Sequence, residues 1–305
     1  MRGLGLGLIG KAKTLHLRGR RLAAHVSRAT HSVSCPACGA NEWSTVWSDD
    51  GHWVERCAVC GLGVTYPRPS SARAEDHHRR TYSRAAYVDN YLRNYAPFLA
   101  HAYQRGLERI RAADARAVRL LDVGCGFGYF LNLARSEGYE VQGVEVASAL
   151  AAEARSRYGI FVLPTALHDA PTATDAYDVV TAWDVLEHCP EPRAALADIV
   201  LRLKRGGILL VQVPDYSFAG RDLPAAFLSR YVDRMYPMSP AQHALHYTPE
   251  ALTVLLESHG AEVIDGWRSE ADEYPPKDLP DYDALLGEMG RLRVHCEFTL
   301  LGRKS

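Results

Sequence analysis

Apolar positions along this chain gather into short runs separated by stretches of helical period or of polar character, and the runs read as strands. Residues 119–123 are apolar enough for a strand buried on both faces, and 127–137 follow with a helical period. The alternation recurs as a strand over 140–146, a short one near 161–163, a run over 177–185 and another over 203–211. Residues 261–268 and 293–302 supply two further strands. Ser148 is placed to cap the helix after the second strand. Thr248-Pro249-Glu250 opens another helix that ends near Gly260, with Thr248 as cap and Pro249 at the first position. Strands alternating with helices predict an α/β protein built on a largely parallel sheet. Upstream, 70–113 read as helical, with Tyr82, Tyr87, Tyr91 and Tyr95 at near-helical steps; that stripe faces either a core or a substrate. Residues 215–247 break the pattern with aromatics, prolines and methionines, among them Phe218, Phe227, Tyr231, Met235, Tyr236 and Met238. An insertion of that length at a sheet's ligand edge predicts a substrate lid.

The junction between the first strand and its helix carries the first chemical signal, Leu120-Leu121-Asp122-Val123-Gly124-Cys125-Gly126-Phe127-Gly128-Tyr129. Three glycines without Cβ atoms let the chain bend sharply and bring backbone against a ligand. The spacing is G-x-G-x-G, and Tyr129 stands where a dinucleotide fingerprint G-x-G-x-x-G has its third glycine, which tilts the reading away from NAD. Glu145 comes 23 residues after Asp122, at the end of the second strand, where an acid can accept both ribose hydroxyls of a nucleoside.

With Tyr177-Asp178-Val179-Val180-Thr181-Ala182-Trp183-Asp184-Val185-Leu186-Glu187-His188 and Leu203-Lys204-Arg205-Gly206-Gly207-Ile208-Leu209-Leu210-Val211 in register behind them, these motifs resemble those of the class I S-adenosylmethionine (SAM)-dependent methyltransferases over roughly 116–268. The resemblance implies a seven-stranded Rossmann-like sheet in the order 3-2-1-4-5-7-6, with the last strand antiparallel. It implies that Asp122 fixes a cofactor-binding turn made of Gly124, Gly126, Gly128 and Tyr129, that Glu145 takes the ribose, that Leu167 or its neighbours meet the adenine, and that Asp184 lies near the methionyl end. A sulfonium methyl is already electrophilic, so the protein has chiefly to align a nucleophile and, for a hydroxyl, remove its proton. His188, His243 and His246 are the candidate bases. His243 stands first, because similar enzymes have a histidine facing the acceptor there; His188 serves equally as a structural tie. Asp215 is a secondary candidate.

Cysteine spacing adds a second module. Cys35-x2-Cys38 and Cys57-x2-Cys60, with an 18-residue spacer, have the pattern of a four-thiolate structural zinc site. Two disulfides would need an exported protein, and nothing else in the sequence points to export. Cys125, Cys189 and Cys296 read as isolated thiols. The stretch 60–69 resembles the ribbon that precedes the methyltransferase domain in bacterial enzymes of glycan and secondary-metabolite pathways, where it packs beside the active site. The expected organisation is a basic tail over 1–30, a zinc ribbon over 31–69, a helical cap over 70–115, and a methyltransferase domain over 116–305 with a lid at 215–247.

Composition narrows the partners. At 305 residues, 47% hydrophobic and 23% charged, the chain is an ordinary globular one, expected in the cytoplasm. Its net charge of −1 offers no basic field for nucleic acid. Residues 1–41 contain no Asp or Glu, so Arg2, Lys11, Lys13, Arg18, Arg20, Arg21 and Arg28 make a basic tail, either free or resting weakly on an anionic membrane surface. In the ribbon, Arg56 and Arg68 are outnumbered by Glu42, Asp49, Asp50 and Glu55, the wrong sign for gripping phosphate. The expected activity is methyl transfer to a small-molecule or glycan acceptor, most readily at oxygen. An RNA methyltransferase with a recognition ribbon and a non-catalytic SAM-binding scaffold are the alternatives.

Overall fold

The structure, a computed structural model, describes residues 33–49, 51–82, 88–89, 92, 96–224, 226–228, 231, 242–269 and 282–305. The basic tail, Tyr87, Tyr91 and Tyr95, and the Met235–Met238 part of the expected lid lie outside the described residues.

Two cysteine knuckles flank an antiparallel ribbon of β1 (Trp43–Asp49), β2 (His52–Cys57) and β3 (Gly63–Tyr66). Helices α1 (Ser71–Tyr82) and α2 (Ala96–Ala113) follow. The chain then alternates β4 (Arg119–Val123), α3 (Tyr129–Ser136), β5 (Glu140–Val144), α4 (Ser148–Tyr158), β6 (Val162–Leu163), β7 (Tyr177–Trp183), α5 (Pro192–Arg202) and β8 (Leu203–Pro214). After the two-residue β9 (Leu245–His246) come α6 (Pro249–Glu257), β10 (Ala261–Arg268), α7 (Tyr282–Leu292) and β11 (Glu297–Lys304).

The main sheet runs β6-β5-β4-β7-β8-β11-β10, parallel from β6 to β8, with β11 antiparallel to both its neighbours. Counted along the domain, that is the expected 3-2-1-4-5-7-6. The middle strands are apolar on both faces because helices cover both. Leu121, Val180 and Leu209 pack with Leu196, Ile199, Leu252 and Leu255 from α5 and α6. Their chain neighbours Leu120, Val179 and Leu210 pack on the other side against Leu107 and Ile110 of α2, Leu131 of α3 and Ala154 of α4. This period-two division of consecutive apolar residues fixes the register of each strand.

Helix starts follow the sequence signals in one place and depart from them in another. Thr248 caps α6, its hydroxyl accepting from Ala251 N at 3.2 Å, with Pro249 next. Ser148 is not the cap of α4 but its first residue; Ala147 occupies the cap position without a side-chain bond. The Ala147 amide is taken instead by Glu145 Oε1 at 2.7 Å, so the acid at the strand end organises this helix start.

Strand β9 pairs with β3 and completes the ribbon sheet as its fourth strand, Gly63 opposite His246 and Val64 opposite Leu245. A Cβ on Gly63 would lie 2.7 Å from the Tyr216 ring and 3.0 Å from His246 Cβ, so glycine permits this close approach. Cys35, Cys57, Cys60, Leu62 and Val64 belong to the same buried cluster as Leu245, Tyr247, Ala251 and Leu252. The ribbon therefore shares a core with the α/β unit.

Candidate functional site

A cavity of about 320 Å³ opens at the carboxyl ends of the parallel strands, the edge where open α/β sheets place ligands. Its floor is Val123 and Gly124 after β4 and Val144, Glu145 and Val146 after β5; Asp184, Val185 and His188 after β7 form one wall. The segment 165–168, residues 189–191 with one face of α5 (Ala194, Ala195, Asp198, Ile199), and one face of α1 complete it. Among the described residues, five carboxylic acids line it (Glu75, Glu145, Asp184, Glu191 and Asp198) and no lysine or arginine. Such a field favours a cationic ligand and repels the pyrophosphate of a dinucleotide.

The glycine turn is left-handed at all three glycines, with φ of 70° at Gly124, 54° at Gly126 and 78° at Gly128. A Cβ on Gly124 would press on Val185 at 2.7 Å, whereas one on Gly126 would meet open space, so this backbone is bare to a ligand. The turn is tied down from β5: Gly124 N and Cys125 N donate to Val144 O at 2.8 and 3.2 Å, and Gly126 N donates to Glu145 Oε2 at 3.0 Å. Asp122 plays no part in these bonds. Its buried carboxyl accepts from the Thr181 hydroxyl at 2.7 Å, and desolvation pushes it up to about 8. The turn is thus fixed by Glu145 where Asp122 was expected to fix it.

Glu145 is only 1% exposed yet reaches the cavity, and His78 of α1 brings Nε2 to 3.6 Å from its Oε1. Asp184 adopts a left-handed φ of 53°, leaves Oδ1 without a hydrogen-bond partner, and is pushed up to about 6 by burial. Leu167 sits in a single 3₁₀ turn on the cavity wall, its carbonyl accepting from Arg202 at 3.4 Å.

Three histidines stand in a row from the cavity wall inward, His188 on the wall and His243 and His246 behind it. His188 Nδ1 faces Gln242 O at 3.0 Å, and the His243 ring lies 5.0 Å from the His188 ring. His246 is 6.1 Å from His243 and shares a 2.8 Å hydrogen bond with the Thr65 hydroxyl of the ribbon. Burial pushes His188 down to about 4 and His246 to about 3, and it holds His243 well below its usual value, so all three are neutral at pH 7.

Of the residues singled out from sequence, Gly124, Glu145, Leu167, Asp184 and His188 line the cavity. Gly126 and Gly128 belong to the turn. Tyr129 begins α3 and packs beside Phe127 and Tyr103, away from the lining. His243 and His246 lie behind His188. Asp215 is engaged elsewhere, accepting from Arg268 Nε and Ser217 N at 2.8 Å each. Sequence reasoning missed His78 and Glu75, because α1 has no buried residue and reads as a solvated helix. It also missed Glu187, whose side chain is buried and whose Oε2 has no partner.

The four ribbon cysteines are unbridged. Cys35 and Cys60, and Cys38 and Cys57, place their sulfurs 3.6 Å apart, and all four Sγ atoms lie within 4.8 Å of one another. Thiolates on one tetrahedral zinc stand about 3.8 Å apart, so the donor set fits such an ion. Each knuckle closes with a glycine at φ 79°, Gly39 N donating to Cys35 O and Gly61 N to Cys57 O.

A seven-stranded sheet in this order, with a glycine turn after the first strand and an acid after the second, defines the class of Rossmann-like, class I methyltransferase folds. Within that class, the chain belongs to the Methyltransferase domain family (Methyltransf_23), whose profile matches residues 93–265. It is 28% identical over 158 residues to a ubiquinone biosynthesis O-methyltransferase of Aeromonas salmonicida, covering 48% of this chain and 64% of that protein. It is 30% identical over 166 residues to a probable S-adenosylmethionine-dependent methyltransferase of Mycolicibacterium smegmatis, covering 53% and 57%. The chain thus spans under two thirds of the length of these two curated relatives. Among solved structures, the [4+2]-cyclase SpnF superposes with a TM-score of 0.54 at 21% identity, over 78% of this chain and 98% of that one. The magnesium protoporphyrin IX methyltransferase of Synechocystis PCC 6803, solved with bound SAM, gives 0.52 at 14% identity, over 76% and 97%. These two likenesses bear on the fold alone, and one of the two is named for a cyclisation, so one fold serves more than one chemistry.

Proposed function

We propose that the protein is a SAM-dependent methyltransferase acting in the cytoplasm on a hydroxyl of a small-molecule acceptor. The observation that carries this reading is the acidic lining that the described residues give the cavity, beside a bare glycine turn. When bound, SAM supplies an electrophilic methyl group on a sulfonium.

Glu145 accepts the ribose hydroxyls while its other lone pairs hold Gly126 N and Ala147 N, so one buried carboxylate both shapes the turn and reads the nucleoside. Leu167 offers apolar contact to the adenine. Asp184, with Oδ1 unpartnered at the cavity wall, takes the methionyl ammonium, which would restore its charge. On the acceptor side the neutral imidazoles keep lone pairs free at pH 7, and His243 is the first candidate to take the hydroxyl proton, with His188 and His246 behind it. Cys35, Cys38, Cys57 and Cys60 hold a structural zinc with no open position. O-methylation is favoured because the Aeromonas relative is named for it.

The test is transfer of labelled methyl from SAM into a host extract fractionated into RNA, protein, lipid-linked glycan and small molecules, with Glu145→Ala as control. Label in the small-molecule or glycan fraction, lost in the variant, supports the reading and gives the acceptor class. Label confined to RNA, or none above the variant's background, overturns it.

A further inference from the structure

Glu187 and His188, on the turn after β7, converge with His243, on the segment before β9, at the His188 wall of the cavity. One Glu187 oxygen and one nitrogen from each histidine lie within 4.8 Å of one another. Glu187 Oε1 is 3.9 Å from His188 Nε2. Ligand atoms on one ion at usual bond lengths stand roughly 3–3.5 Å apart, so side-chain shifts of about an ångström would close the set. Two of the three ligands are unsatisfied: Glu187 Oε2 and His243 Nδ1 are buried without a hydrogen-bond partner, and Glu187 is only 1% exposed. Groups of this kind are costly unless something else meets them.

The surroundings resemble the support of a coordination site. With Nδ1–H donated to the Gln242 carbonyl at 3.0 Å, the His188 lone pair is left on Nε2, facing Glu187. Ala244 N donates to Glu187 O at 2.8 Å, which locks the turn after β7 to the segment carrying His243. Asp184, three residues before Glu187, adds a second buried carboxylate with an unpartnered oxygen.

We infer that Glu187, His188 and His243 hold a divalent transition-metal ion at the acceptor side of the cavity, separate from the four-thiolate site. Two imidazoles and a carboxylate suit Zn²⁺, Mn²⁺ or Fe²⁺ rather than an all-oxygen ion such as Ca²⁺. Since His188 also lines the cavity, the ion stands where an acceptor hydroxyl can reach it. The inference rests on the proposed function and deepens it: the His243 lone pair serves through an ion that lowers the hydroxyl's pKa, and the released proton passes to water while the electron pair stays on the attacking oxygen.

The test uses the full chain with its thiolate site loaded, titrated with Mn²⁺ alone and followed by electron paramagnetic resonance, with SAM binding measured on the same preparations. The expected result is one Mn²⁺ per wild-type chain, bound at least tenfold more weakly by Glu187→Gln and by His243→Ala, with SAM affinity within about twofold in both. Glu187→Gln preserves shape, so it serves if the alanine variant does not fold. Wild-type protein that binds SAM but no Mn²⁺, or variants that bind it as tightly as wild type, would overturn the inference. Mn²⁺ binding without any methyl transfer would instead leave the ion site standing and remove the proposed function.

Discussion

Glu145 shows how much one side chain carries in this protein. Its two oxygens hold the glycine turn and the start of α4, and its remaining lone pairs face the cavity. Its importance was legible in the sequence as an acid at a strand end; its grip on the turn was not, because that bond joins segments whose closeness only the folded sheet creates. Asp122 was legible as a position but not in its role, since a motif names a residue without its partners. Burial pushes Asp122 up to about 8, so the folded chain keeps a proton that the unfolded chain releases near the ordinary carboxylate value of about 4. The unfolded state then binds fewer protons, and this group's contribution to stability falls as pH rises between about 4 and 8. We therefore expect Asp122→Asn to flatten that part of the stability profile, seen as a smaller loss of Tm from pH 5 to pH 8 than in wild type. An equal or steeper loss would mean that Asp122 is ionised in the fold.

At the scale of elements, the regular strands and helices were legible because their apolar periods are long, and β10 falls on the expected 261–268. The two-residue β9 was not, since its pairing partner in β3 lies about 180 residues earlier and its own sequence carries no period. Yet β9 is what joins the ribbon to the candidate acceptor histidines, through the bond between His246 and Thr65. Thr65→Val keeps the shape and removes the hydroxyl. We expect it to lower kcat several-fold and stability by about 1–3 kcal/mol, with SAM affinity unchanged; an unchanged kcat would detach the ribbon from the chemistry. The stretch read as a lid divides in two. Phe218, Phe227 and Tyr231 pack with Val54, Leu285 and Met289 in a buried cluster, and Tyr231 donates to His295 O at 2.7 Å. These aromatics therefore act as core between the ribbon and α7. Phe227→Ala is expected to cost about 3–5 kcal/mol in denaturant unfolding, where a lid residue would chiefly change KM.

For the whole molecule, the strand order is the one that the family resemblance of four motifs in register implied. The joining of the modules was not legible there. The cysteine cluster, the ribbon strands and α6 share one buried core, so the ribbon is part of the structure that carries the site. We expect chelation of the thiolate site, or Cys38→Ser, to lower the single thermal transition of the whole protein rather than melt a separate module, as calorimetry would show. Two resolved transitions would contradict that. The central claim is that the cavity at the carboxyl edge binds SAM through Glu145, and calorimetric titration of SAM into wild type and Glu145→Ala tests it most directly. One SAM per wild-type chain is expected, with at least tenfold weaker binding by a variant whose folding is confirmed by circular dichroism. Equal affinity in the two, or no binding to wild type, would contradict it.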